Sequence, residues 1–176
     1  AMLGMAAVLD AEAGDTPETA PRGFSFADDN CCLVTPEMYE QFALPIVSGM
    51  FGRYAPDPGD WRFQHSDSEM SHIVPILAKL EMSAVNFGPT VMADFIRSHM
   101  PRTVIQGVLA PFTYSRHDRR GMVMELMRDY ELTRESRGIK FSTAGSVNNG
   151  SRLTGMRLMM AATQRFARYD GASVNL

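Results

Sequence analysis

Five times along this chain a short run of β-forming residues precedes a longer run with helical spacing of apolar residues. That alternation is the signature of β/α units built around a parallel sheet. The β-like runs are 23–27, 61–65, 83–87, 103–110 and 139–144, with strands expected to start near Phe24, Arg62, Ala84, Val104 and Lys140. Residues 1–22 have no sustained periodicity and read as a leader and linker, leaving 23–176 as the domain. An eightfold β/α barrel takes about 250 residues, so 176 residues cannot close one alone. A truncated barrel and an open five-stranded sheet remain, and length by itself favours the open sheet.

Helix signals sharpen the pattern. Thr35 is an expected N-cap, with Pro36 at the first helical position and Glu37 in the first turn. Met38, Phe42, Ile46 and Met50 recur every fourth residue as an expected buried stripe, and Pro45 should kink that helix. Met70, Ile73, Val74 and Leu77 follow an i, i+3, i+4, i+7 pattern, and Val91, Phe95 and Met100 mark the next helix. The longest helix is expected from Asp118 to Arg137, closed by Gly138, with Met122, Val123, Leu126, Met127 and Tyr130 facing the core. A final helix is expected from Ser151, as N-cap, to Arg168.

Composition excludes several classes. With 45% apolar and 21% charged residues the chain is neither disordered in character nor a membrane span. No stretch reaches the roughly 18 apolar residues that a transmembrane helix needs. The apolar start carries no Lys or Arg before Arg22, unlike a secretory signal, and a cytoplasmic location is expected. A net charge of −3 argues against nucleic acid as a partner. Cys31 and Cys32 are adjacent, which fits neither a disulfide framework nor CxxC spacing. The 14 methionines, at helical spacing, read mainly as core filler.

In either architecture ligands bind at the carboxyl ends of the strands, where polar residues collect. Asp28 and Asp29 follow the first run, as general acid–base or ring N–H acceptors or else as caps of the next turn. His65 and Asp67, two apart on an extended segment, face the same way and are compatible zinc ligands, although two ligands do not complete a site. Their alternative is a structural His–carboxylate pair. Asn86, Gly107, Ser146, Asn148 and Asn149 are candidate substrate-binding positions, and Asp28, His65 and Asn148 should converge on one concave surface. His72, His99 and His117 lie within or near helix ends, where solvated or dipole-complementing roles are expected. The loop 145–151 lacks both GxxxxGK[ST] and GxGxxG, so a nucleotide site has little support.

The succession of segments 28–45 (DDNCCLVTPEMYEQFALP), 64–67 (QHSD), 85–89 (VNFGP), 104–111 (VIQGVLAP) and 143–150 (TAGSVNNG) resembles the C-terminal half of the uroporphyrinogen decarboxylase superfamily, over about residues 23–170. The resemblance implies a partial β/α barrel, with the five units as strands four to eight. It further implies an enzyme acting on a tetrapyrrole or a methylated small molecule. One branch decarboxylates uroporphyrinogen without a cofactor; another uses zinc to activate a thiol that accepts a methyl group from a corrinoid protein. Zinc there is held by His-x-Cys and a later Cys, whereas His65-Ser66-Asp67 keeps only the histidine. The substrate-binding arginines and essential aspartate of the decarboxylases belong to the half that this sequence does not contain, and Asn148-Asn149-Gly150 stands where they carry Gly-His-Gly.

Three functional expectations follow. Metal-assisted methyl transfer or demethylation comes first, with zinc on His65 and Asp67 and a corrinoid protein as partner. Tetrapyrrole decarboxylation with Asp28 or Asp29 at the pyrrole nitrogens is the alternative. A non-catalytic half-barrel completed by a partner chain, or by a second copy, is the third.

Overall fold

The computed structural model describes residues 2–16 and 18–169. Its centre is a five-stranded, all-parallel sheet whose strands lie side by side in chain order: β1 (Phe24–Ala27), β2 (Arg62–Ser66), β3 (Ala84–Phe87), β4 (Val104–Leu109) and β5 (Ile139–Thr143). The expected strand starts are met at four positions, and β5 begins one residue earlier than expected. The helices are α1 (Met2–Ala13), α2 (Pro36–Met38), α3 (Leu44–Tyr54), α4 (Val74–Leu77), α5 (Ala93–His99), α6 (Pro111–Ser115), α7 (Arg119–Thr133) and α8 (Leu153–Phe166).

Both hydrophobic clusters lie on one side of the sheet, while the buried Ala84 shares the other face with Phe63 and Val104. Phe24, Phe26, Val85, Phe87, Ile105 and Ile139 share one face by register and pack with residues of the helical layer, among them Phe51, Leu77 and Ile96. Phe141 and Leu109, on that same face, meet Met122, Leu126 and Met159 in a second cluster. Val108, at φ 63°, also reaches the helical side. On the opposite face Ser25, Ala27, Val104, Lys140 and Ser142 are exposed, and Trp61 stacks on Phe63 at 6.0 Å while its indole N–H donates to Ser25 Oγ.

Several expectations need correction. Thr35 caps as expected, its hydroxyl accepting from the Met38 N–H. The stripe after it does not hold: Met38, Phe42 and Ile46 are 44%, 61% and 47% exposed, and only Met50 is buried. Pro45 is the physical reason. It lacks an N–H and its ring crowds the carbonyl four residues back, and a π turn over Tyr39–Ala43 absorbs this, with the Leu44 N–H donating to Tyr39 O, five residues back. The extra residue rotates the face, so Tyr39, Val47 and Phe51 go inward. Met70, Ile73, Val74 and Leu77 are all fully buried, although regular helix spans only Val74–Leu77.

α7 has Asp118 as N-cap but ends at Thr133; its last expected turn is irregular and leads through Arg137 and Gly138, both at positive φ. Met127 is exposed, and Asp129 and Thr133 are buried in its place. α8 is capped at Arg152 rather than Ser151, whose hydroxyl is buried without a partner among the described residues. Residues 2–13, assigned above to a leader, form α1, held to α3 by Asp10, which accepts from Arg53 and Tyr54. No helix among the described residues is long and apolar enough to cross a membrane.

Candidate functional site

A polar cluster spans the carboxyl ends of four adjacent strands, and Asn86 on β3 is its hub. Register places Asn86 beside His65 on β2 and Gln106 on β4, so one side chain can reach both neighbours. Its Oδ1 lies 2.8 Å from His65 Nδ1 and accepts the Gly145 N–H at 2.9 Å, while its Nδ2 donates to Gln106 O at 2.9 Å and Thr143 O at 3.2 Å. Asn86 is buried, so these bonds form in a medium where leaving one unmade would cost about 1–3 kcal/mol.

The outward side of the cluster is open. His65 Nε2 stands 3.6 Å from Asp67 Oδ1, beyond hydrogen-bond length, and the two side chains are 25% and 52% exposed. Asp67 is placed by two further contacts. Its N–H donates to Asp29 Oδ1 at 2.7 Å, and the Ser68 hydroxyl donates to Asp29 O, so the loops after β1 and β2 are tied together. Two glycines make the space. A Cβ on Gly107, whose φ is 96°, would collide with the Asn86 amide and lie 2.9 Å from Thr143 O; one on Gly145 would lie 2.8 Å from the Asp67 carboxyl carbon. Positive φ is also a region that side-chain-bearing residues rarely occupy.

The structure thus brings together His65, Asp67, Asn86, Gly107 and Asp29. Asp28 acts as the capping alternative describes: its carboxylate accepts the Asn30 and Cys31 N–H groups of a 3-10 turn over Asn30–Leu33. The side chains of Ser146, Asn148 and Asn149 make no hydrogen bond with the cluster among the described residues, and the backbone of Asn148 closes a turn with the Ser151 N–H. Gly145, central to the site, was legible only as part of the loop 145–151, because its importance lies in proximity to Asp67, 78 residues earlier in sequence. Glu125 is a second polar anchor not singled out from sequence. It accepts from the Ala110 N–H and the Thr113 hydroxyl, fixing the exit of β4.

As for metal, the His65–Asp67 spacing suits two ligands of a single ion, but no group of three or more His, Cys, Asp or Glu side chains is assembled for one among the described residues. The cysteines are engaged elsewhere: Cys31 donates to Asp28 O and Cys32 to Asp29 O, and burial pushes the Cys31 thiol up to about 11. His72 and His99 bond backbone carbonyls of Val34 and Phe95.

Apolar grooves flank the sheet, and two of them border its edge strands. One, of about 670 Å³, runs beside β5 and is lined by Leu109, Phe141, Met156, Met159 and Met160; the other, of about 210 Å³, lies between β1 and α3 and is lined by Phe24, Phe26, Ile46 and Met50. Neither contains the His65 cluster. No family model matches the chain, and a search of curated proteins finds no match for it.

Proposed function

We propose that this chain supplies five consecutive units of a β/α-barrel enzyme similar to the uroporphyrinogen decarboxylase superfamily, with the His65 shelf as part of its active site. One observation carries this reading: the parallel strands lie in chain order with every core helix among the described residues on one face, so the other face has no helical layer. Parallel sheets are otherwise buried on both faces, and a barrel buries the second face against its own far wall. A doubly wound sheet would reverse its strand order at some point, which this one does not. The grooves beside β1 and β5 then receive the next units of the barrel. In such a fold the reacting groups stand at the carboxyl ends of the strands, which is where His65, Asp67 and Asn86 are.

For the chemistry we favour metal-assisted methyl transfer or demethylation on a methylated small molecule or a corrinoid-linked methyl group. His65 Nε2 and Asp67 are the two ligands this chain would offer; zinc, when bound, acts as a Lewis acid toward a thiol or methoxy oxygen. Decarboxylation of a tetrapyrrole has less support, since Asp28 is engaged in capping and Asp29 Oδ1 accepts the Asp67 N–H. A half-barrel without activity of its own, completed by a partner chain, draws support only from the face that has no helical layer.

Calorimetric titration of the chain with Zn²⁺, and separately with uroporphyrin, tests the choice. Zinc uptake abolished by His65→Ala and kept in Cys31→Ser and Cys32→Ser is the expected result. Porphyrin binding without zinc uptake would move the assignment to the decarboxylase branch, and binding of neither would leave the inactive half-barrel.

A further inference from the structure

We propose that Asn86 is a positioning residue that fixes the proton of the neutral His65 ring on Nδ1, leaving Nε2 as a bare acceptor turned toward the open shelf. The inference rests on the reading of His65 as an active-site group and adds what state that group is held in. The amide orientation of Asn86 is set by its surroundings. Nδ2 faces two carbonyl oxygens, Gln106 O and Thr143 O, and Oδ1 faces the Gly145 N–H. Turning the amide over would set an oxygen against two carbonyls and an NH₂ against an N–H, three unfavourable contacts in place of three hydrogen bonds. Oδ1 is therefore an acceptor, and the His65 nitrogen 2.8 Å from it must be the donor.

Fixing one ring nitrogen determines the other, because a neutral imidazole carries a single N–H. Nε2 then presents a lone pair, and 3.6 Å away Asp67 Oδ1 presents another. Two acceptors across an open gap call for an occupant that brings hydrogens or positive charge between them. The shelf accordingly selects a ligand with a hydrogen-bond donor, or a cation, at that point and discriminates against one that offers only acceptors.

The test reads the tautomer directly, in the whole chain and without any ligand. Two-bond ¹H–¹⁵N spectra, recorded at about pH 9 where an ordinary imidazole is neutral, distinguish the protonated ring nitrogen from the bare one. The expected result is Nδ1–H for His65 in the native chain, with the pattern inverted to Nε2–H in Asn86→Leu. Native His65 with its proton on Nε2, or Asn86→Leu with Nδ1–H unchanged, would overturn the proposal. If Asn86→Leu does not fold, the native chain still decides it, since Nδ1–H is required there and Nε2–H overturns the proposal. Because no zinc or porphyrin enters the measurement, its failure is separable from failure of the functional reading.

Discussion

Gly145 gives the shelf its N–H, accepted by Asn86 Oδ1, and an absence of side-chain volume, and that absence can be tested. Its φ of 73° and the nearby Asp67 carboxyl mean that Gly145→Ala adds backbone strain of about 1–2 kcal/mol and displaces Asp67 from His65. Urea unfolding should show a lowered midpoint, and the His65 ring signals should shift. Asp129 makes a different prediction. Burial holds its carboxyl above the ordinary carboxylate value, opposed by the Arg128 side chain, and its Oδ2 has no partner among the described residues. A raised folded-state pKa means that the native state binds more protons, so this group's contribution falls as pH rises through the window from the usual 3.8 to its higher folded value. Asp129→Asn removes the titration, and the stability difference between variant and native chain should move in the variant's favour from pH 4 to pH 7 in parallel denaturant titrations. His65, Asp67 and Asn86 were legible because each stands at or just past the carboxyl end of a β-like run, where ligands gather. Burial of Asp129 was not, since only a helix rotated against its neighbours puts a charged residue inward in place of Met127.

At the scale of elements, what the sequence made readable was local and what it concealed was phase. Thr35 and Pro36 specify a helix start through the Thr35 hydroxyl and a fixed φ, needing no tertiary partner. Thr35→Ala should therefore cost about 1 kcal/mol, measured as a loss of unfolding free energy without change in the denaturant slope. The face of the same helix depends on how the chain accommodates Pro45, and a π turn with one added residue turns Phe42 and Ile46 outward while drawing Tyr39 to 1% exposure. Strand positions were legible almost to the residue because β-branched and aromatic runs are bounded by Gly, Pro and polar residues. Strand order was not. Alternating β and α runs are compatible with both a doubly wound sheet and sequential winding, and only the pairing of β1 with β2 through to β4 with β5 separates them.

For the whole molecule, the proposed partial barrel predicts a pattern in the backbone itself. No strand among the described residues pairs with the outer edge of β1 or β5. In a parallel ladder alternate residues direct their N–H groups to opposite sides, and the bonds Phe24 N–H to Trp61 O and Asp28 N–H to His65 O assign the inward set on β1. Ser25 and Ala27 therefore direct theirs outward. On β5, the bond from Ala144 N–H to Leu109 O leaves Phe141 and Thr143 as the outward set. Hydrogen exchange of the isolated chain should be fast at Ser25, Ala27, Phe141 and Thr143 and slow at Val85 and Phe87, which lie in the central strand β3. A partner bringing the missing units would place new carbonyls against both edges, so the four fast amides should become protected on complex formation while those of β3 change little. A second copy of this chain acting as that partner would make the protection depend on its own concentration. Protection of all four in dilute monomer would mean that the edges are already covered, and the sheet would then have to be read as a finished fold instead of part of a barrel.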